Sequence, residues 1–350
     1  MNDIQIHRTP QSILGLKLLW HSLLSQTRNA NFTQSWSWFQ LTNKVISNQF
    51  EPIVVETRYR GRTLGLVPFF TNVTGESWHS PQSFFGFGNA APIGHSPTAT
   101  WMTAAAFLRG SLSKSMSWEL GPFVHGTGAS TRVKTVFSQL ALPSLGLSSL
   151  NMPVAYLKSK SSGKILGHRP LARPTNWETL IGPPNRSVPL ESRVRQTERF
   201  ANLLSNMDLA LTKSAGTFRF KPSDFNSIFE AFFDHGWIHL LTQRSDFGFL
   251  VLGDRKTAYL LPCGFRSLSK PSQSQAYQEA LILLANADFR RVFLLSPDPP
   301  PQGLFQTERS HYMYRYAARR TPQTTFFNLL SRLTDTSNWT FTHRQDTQLD

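Results

Sequence analysis

His235 and His239 stand four residues apart with Asp234 beside them, the spacing at which two imidazoles on one helix face can share a metal ion. Gly236 and Ile238 lie between them, and both residue types argue that the helix has ended before His239. No metal site is therefore expected. Trp36 and Trp38, in W-S-W-F-Q-L-T-N-K-V-I, would suit a platform on which bases or sugars stack. The amphipathic pattern around them reads instead as core packing. The chain has no G-x-x-x-x-G-K-[ST] loop, no G-x-S-x-G elbow and no Cys/His zinc array, so three common routes to phosphate, acyl or metal chemistry are missing.

The elements that would position any site alternate between helix and strand. Ser12–Gln26 has a helical apolar period. Asn31 and Gln34 have the spacing of a capping box ahead of a second helix. Residues 52–70 read as a hairpin around R-G-R, with Gly61 free to take a left-handed turn position. A glycine-rich stretch at 84–94, a short helix at T-W-M-T-A-A-A-F-L-R-G and a strand ending at Pro122 follow. Residues 141–190 are rich in Pro, Ser and Gly and read as a boundary, in which Trp177–Glu178 looks like the start of a short helix. Beyond it come a basic helix at Ser192–Asn206, a strand, and a helix capped by Ser223. Two strands then flank G-D-R-K within 247–265, a helix covers Ser274–Ala287, a strand ends at Pro297 and H-Y-M-Y-R-Y is β-rich.

R-T-L-G-L-V-P, Arg62–Pro68, is nearly repeated as K-T-A-Y-L-L-P, Lys256–Pro262, and both copies are followed by a helix and a strand ending in Pro. The shared order predicts a duplicated unit. The expected organisation is an N-terminal unit at 1–150, a partly ordered linker at 151–190, a C-terminal unit at 191–325 and a polar tail at 326–350. The fold class is α/β (α+β), two tandem units, each a mixed twisted sheet flanked by helices.

Composition sets bounds. The chain has 350 residues, 40% hydrophobic and 12% aromatic, which supplies packed cores rather than disorder. Lys and Arg number 36 against 21 Asp and Glu, a net charge of +15 that favours anionic partners. The cations are scattered, with no stripe or run. Cys263 is the only cysteine, so no intrachain disulfide forms. No basic-then-apolar leader and no run of 18 apolar residues is present, and a soluble cytoplasmic protein is expected.

F-x-x-S-W-x-W at Phe32–Trp38, P-I-V-V at 52–55, L-G-L-V-P at 64–68 and the order of elements resemble the CelD-type, Fem-like acyltransferases of the GNAT superfamily. Trp177–Glu178, the arginine-bearing helix after it and the later hairpin, helix and strand resemble that family's second half, so the likeness runs over about residues 12–320. It implies two GNAT-like units. It implies acyl transfer from a donor, commonly acyl-CoA (acetyl-CoA included) or an aminoacyl-tRNA, to an amine or hydroxyl of a small molecule or glycan, with a role in polysaccharide or envelope building.

The resemblance also implies where the donor would lie. In such a unit a pyrophosphate rests where a strand runs into a helix, because a helix N-terminus presents free N–H groups and a positive dipole end. Here that place is C-G-F-R-S-L-S-K-P-S-Q-S-Q-A-Y, residues 263–277. Arg266 and Lys270 would add charge, with Ser272, Gln273 and Ser274 at the start of the helix. The superfamily's Q/R-x-x-G-x-G/A pattern is absent, and no glycine follows Gly264 to let backbone approach a phosphate. A donor site and an ordinary capped helix behind a basic loop both remain open. In the first half, Gly86, Gly88 and Gly94 occupy the equivalent region, either as a phosphate loop or as turns among aromatic residues. Glu279 and Asp288 are the candidate general bases and Tyr312 or Tyr314 the candidate acids, with no catalytic role assigned. The missing glycine loop leaves a catalytically degenerate scaffold or binding protein as an alternative. The charge leaves a basic nucleic-acid-binding protein as another, although no recognised nucleic-acid module is present.

Overall fold

The computed structural model describes residues 2–28, 30–84, 88–112, 117–126, 128–139, 146–157, 177–180, 238–242, 247–254, 256–265, 268–296 and 299–317. The chain divides into two units, Met1–Asn151 with Arg309–Trp339, and Met152–Glu308 with Thr340–Asp350. The helix, strand and helix expected at 192–236 lie outside the described residues, as do Asp234 and His235.

The first unit opens with β1 (Asn2–His7), which pairs antiparallel with β2 (Phe50–Tyr59). β2 and β3 (Arg62–Asn72) form the hairpin expected from R-G-R. Its two turn residues, Arg60 and Gly61, have φ of 49° and 74°, the left-handed pair that matches the twist of the flanking strands. β3 pairs antiparallel with β4 (Ser77–His79) and, nearer its start, with the two-residue β5 (Ile93–Gly94). The chain then crosses through α4 (Pro97–Leu112) to β6 (Ser117–Val124), which runs parallel to β4. β6 pairs antiparallel with the His311–Ala317 part of β13 (Gln306–Ala317). Helix α5 (Gly128–Gln139) follows β6.

In the second unit β8 (Glu178–Leu180), β9 (Ile238–Thr242), β10 (Gly248–Asp254) and β11 (Thr257–Cys263) pair antiparallel in turn. The chain crosses through α6 (Lys270–Asn286) to β12 (Arg291–Leu294), which runs parallel to β11. β12 pairs antiparallel with the end of β7 (Gly146–Tyr156).

The two units therefore share one topology: three successive antiparallel pairings, a crossover helix, a parallel fifth strand and an antiparallel sixth. The order β1–β2–β3–β4–β6 corresponds to β8–β9–β10–β11–β12. This corrects how the duplication is aligned. R-T-L-G-L-V-P lies on the third strand of its unit and K-T-A-Y-L-L-P on the fourth, so the sequence likeness is one strand out of phase although the repeat of architecture is real.

Two local readings also change. Ser12–Gln26 is not one helix but α1 (Pro10–Leu14) and α2 (Lys17–Gln26). The residues buried along it, Ile13, Leu16, Trp20, Leu23 and Leu24, keep the helical period, while Gly15 favours the break in the axis. Trp177–Glu178 does not begin a helix; Glu178–Leu180 is a strand held by Thr242–Leu240, a tertiary partner that overrides local preference. The Asn31–Gln34 capping box forms with both reciprocal bonds, but it closes a 3-10 turn at Phe32–Gln34. The helix that follows, α3 (Trp36–Ile46), takes its own cap from Ser35, whose hydroxyl accepts the Trp38 N–H at 3.1 Å.

One face of the first sheet packs Val55, Phe69, Trp78, Trp118 and Tyr314 against Phe107 of α4 and Phe137 of α5. Elsewhere in this unit Trp20, Trp36 and Phe39 pack ring to ring, Phe39 stacks on Phe70, and Trp38 meets Phe32 edge-on. Trp36 and Trp38 are 5% and 1% exposed, so they are core and not a stacking platform. In the second unit Phe249, Phe265 and Tyr277 form the centre of the core, with Trp177 stacked on Phe249.

Candidate active site

Among the described residues each unit has one parallel strand pair joined through a crossover helix, and the two copies are built differently. In the second unit the β11–β12 ladder runs from Thr257↔Arg291 to Leu260↔Leu294. It closes with the Leu295 N–H donating to the Leu260 carbonyl at 2.9 Å. β11 continues through Leu261–Cys263 with β10 on its other side. Lys256 and Leu260 turn their carbonyls toward β12, and by the two-residue period of a strand Pro262 faces the same way. Proline has no N–H, so the ladder stops there without leaving a donor unpaired. Cys263 ends the strand fully buried, and burial pushes its thiol up to about 12. It is an inert core thiol.

Gly264, at φ 73°, turns the chain toward α6. Ser269 caps that helix: its hydroxyl lies 2.9 Å from the Ser272 hydroxyl and 3.5 Å from the Ser272 N–H. The Gln273 N–H goes to the Ser269 carbonyl at 2.9 Å, and Pro271 has no N–H to offer. The Gln273 side chain donates to the Phe265 and Leu268 carbonyls at 2.9 and 3.0 Å. Gln273 thereby ties down the strand-to-helix loop. Lys270 and Ser272 are exposed, Ser274 is half-buried, and Arg266 lies outside the described residues.

In the first unit the corresponding ladder, Ser77↔Ser117 to His79↔Glu119, is closed by backbone bonds and by the Ser80 side chain. Ser80 donates its N–H to the Glu119 carbonyl at 3.1 Å. Its hydroxyl donates to the Gly121 carbonyl at 2.5 Å and accepts the Gly121 N–H at 2.9 Å. The Ala90 N–H adds a bond to the Pro122 carbonyl at 2.8 Å. The start of α4 is occupied too, since the Ser96 hydroxyl accepts the Ala99 N–H at 3.0 Å. The glycines of this region serve packing. Gly88, at φ 99°, leaves room where a Cβ would meet the Thr33 side chain, and Thr33 Oγ1 accepts the Asn89 N–H at 2.9 Å. The Gly94 N–H donates to Thr27 Oγ1 at 3.1 Å. Gly86 lies outside the described residues.

Beside Ser80 sits a row of polar side chains with no motif to group them in the chain. Arg315 on β13 donates through Nε and Nη2 to Glu119 Oε1 at 3.0 and 2.8 Å, across 196 residues of chain. His79 Nδ1 lies 3.7 Å from the other Glu119 oxygen, with Phe50 and Phe84 rings about its imidazole. Burial holds His79 below the usual histidine value, against the pull of Glu119. All three residues are half-buried.

The acid and base candidates lie on separate elements. Glu279 accepts from Trp177 Nε1 at 2.5 Å and from Gln275 at 2.9 Å, which makes it an anchor for the Trp177 segment. Asp288 is an exposed turn residue at φ 67°, paired with Arg290 at 3.0 Å. Tyr314 is buried in the first unit's core, stacked on Phe137 at 4.1 Å, and burial pushes its hydroxyl up to about 12. Tyr312 lies on β13. His239 is on strand β9, not on a helix with His235. Among the described residues no group of three His, Cys, Asp or Glu could hold a metal, and no helix is long and apolar enough to cross a membrane.

The sequence matches no family model and no curated protein. Among solved structures, FemX is similar over 93% of this chain and 100% of its own, at a TM-score of 0.53 and 10% identity. A tandem GNAT protein from the clavulanic acid biosynthesis pathway is similar over 91% of this chain and 100% of its own, at a TM-score of 0.46 and 10% identity. The likeness to FemX is one of fold, and it agrees with two tandem GNAT-like units, each a mixed sheet flanked by helices.

Proposed function

We propose that the chain is an acyltransferase that takes an acyl-CoA donor at the second unit, where β11 outruns β12 beside the start of α6. The observation that carries this reading is the contrast between the two parallel pairs. The first is bridged by Ser80, whereas the second runs on to Pro262, which has no N–H to offer a bridge. Lys270, Ser272 and Ser274, with Arg266, would meet the donor's phosphates, and Gln273 would hold the loop that carries them. The acceptor amine or hydroxyl attacks the thioester carbonyl. The new C–N or C–O bond replaces C–S, and the CoA thiol leaves with the acceptor's proton. A small molecule or glycan, in polysaccharide or envelope building, is the acceptor class this reading takes.

Calorimetric titration of the whole chain with acetyl-CoA and longer acyl-CoA thioesters tests it. The expected result is one equivalent bound, weakened by Lys270→Ala. A flat titration on folded protein overturns it.

A second reading, a non-catalytic binding protein of the same fold, draws support from the start of α6. There the Ser272 and Gln273 N–H groups face Ser269, and no glycine opens the backbone. Acyl-CoA binding without turnover across a panel of amine and hydroxyl acceptors would favour it.

A further inference from the structure

The acidic residues of the first unit are sorted by element. Residues 1–151 contain Asp3, Glu51, Glu56, Glu76 and Glu119 and no others. None falls in a helix: α1, α2, α3, α4 and α5 hold no Asp or Glu, while Lys17, Lys44, Arg109, Arg132 and Lys134 lie on them. From Ile4 to Phe50 the chain has no acidic residue at all. Glu56, which touches His7 within this stretch, is fully buried and paired with Arg58.

Within that stretch the α1–α2 corner exposes two large apolar side chains. Ile13 and Leu16 are buried and fix the corner from below. Leu14, the last residue of α1, is 64% exposed, and Leu18, in the first turn of α2, is 83% exposed. Arg8 and Lys17, the charged residues nearest them in sequence, are exposed, and the other exposed residues from Thr9 to Gln26 are uncharged. Isolated exposed leucines are ordinary. Two of them four residues apart, on a segment whose only charged residues are cations, have the chemistry of a surface that meets a lipid interface: apolar groups enter the acyl boundary while cations meet headgroup phosphates.

We infer that the α1–α2 corner docks the protein on an anionic membrane surface, with Leu14 and Leu18 inserted and Arg8 and Lys17 against the headgroups. The charge selects the partner. A neutral bilayer gives the cations nothing, and a nucleic acid gives the leucines nothing. The inference does not rest on acyl transfer, since it uses no residue of the second unit.

Co-sedimentation of the full chain with vesicles tests it, using phosphatidylglycerol mixed into phosphatidylcholine against phosphatidylcholine alone. Binding to the anionic vesicles is expected to exceed binding to the neutral ones by about tenfold or more, and to weaken as salt rises. Leu14→Gln/Leu18→Gln and, separately, Arg8→Gln/Lys17→Gln are each expected to lower it by roughly tenfold. All four side chains are exposed, and circular dichroism checks that the variants remain folded. Absence of binding to anionic vesicles overturns the inference. So does anionic binding that the leucine variant leaves unchanged, above all if a DNA duplex competes for it, because the surface would then be a plain polyanion site.

Discussion

The hydroxyl of Ser80 satisfies both backbone groups of Gly121, donating to its carbonyl at 2.5 Å and accepting its N–H at 2.9 Å. Forty-one residues of chain separate the two, and their contact bridges β4 and β6 at the point where the parallel ladder ends. The equivalent point in the second unit has Pro262, which carries no N–H.

Ser80→Ala removes that bridge and leaves a buried N–H and carbonyl without their partner. The expected cost is about 1–3 kcal/mol, since an unsatisfied buried group loses its hydration without recompense. Urea unfolding with a lowered midpoint and an unchanged slope would report it. Acyl-CoA stoichiometry should stay at one, because Ala90 and the capped start of α4 still occupy the first unit's site. A second equivalent in the variant would mean that Ser80 alone holds that unit shut.

What the sequence disclosed was local. The Arg60–Gly61 turn, the strands on either side of residues 254–257 and the body of α6 each carry their signal within a dozen residues. β4, β5 and β8 are two or three residues long and exist because distant strands pair with them, so no periodicity could mark them. The return of His311–Ala317 to the first unit's sheet left no trace in the chain either. The motif that revealed the duplication also misaligned it, because a basic turn followed by a buried apolar strand looks alike on the third strand and on the fourth. At the candidate site the run from Cys263 to Tyr277 was legible as strand, turn and helix. The Ser80 bridge and the His79–Glu119–Arg315 row were not, since they join residues brought together only by pairing of β4, β6 and β13.

Glu56 has no exposed side-chain surface and accepts from His7 at 2.8 Å, Arg58 at 2.7 and 3.0 Å, and Thr63 at 2.5 Å. Burial alone pushes its carboxyl up, but the bonds from Arg58, Thr63 and His7 outweigh it and hold the group below its ordinary 4.5. The folded state therefore binds this proton less readily than the unfolded chain. The stabilisation is complete above the ordinary value and is lost as pH falls from about 4.5 through the lower folded value. Glu56→Gln keeps the shape and loses the charge. Thermal melts should place it below the parent at pH 7, with the gap narrowing as pH falls below about 4.5 and through the lower folded value. A constant gap across that range would show that the charge is not what stabilises the cluster.

Cys263 ends β11 beside the proposed donor position, yet its thiol is buried and pushed up to about 12. A thiol so placed cannot serve as the acyl carrier, because the thiolate is the nucleophile. An aromatic disulfide reagent at pH 8 should leave the native protein unlabelled and label one thiol per chain after denaturation. Cys263→Ala should keep acyl-CoA binding and any transfer activity. Rapid native labelling, or an activity abolished in a folded variant, would place the thiol in the reaction.

Gln273 offers the sharpest division between holding the loop and holding the ligand. Its amide bonds to the Phe265 and Leu268 carbonyls, while Lys270 and Ser272 three and one residues earlier are exposed. Gln273→Ala frees two carbonyls at a cost of about 1–2 kcal/mol, one modest hydrogen bond each. It should lower the melting temperature and loosen the loop, seen as faster amide exchange at 264–269. Lys270→Ala touches no such bond, so its melting temperature should match the parent while acyl-CoA affinity falls by about threefold to tenfold and loses part of its salt dependence. A Lys270 variant that binds acyl-CoA as the parent does would remove the donor's phosphates from the start of α6. A Gln273 variant with parental stability would show that the loop is held by its packing, Phe265 above all, and not by this side chain.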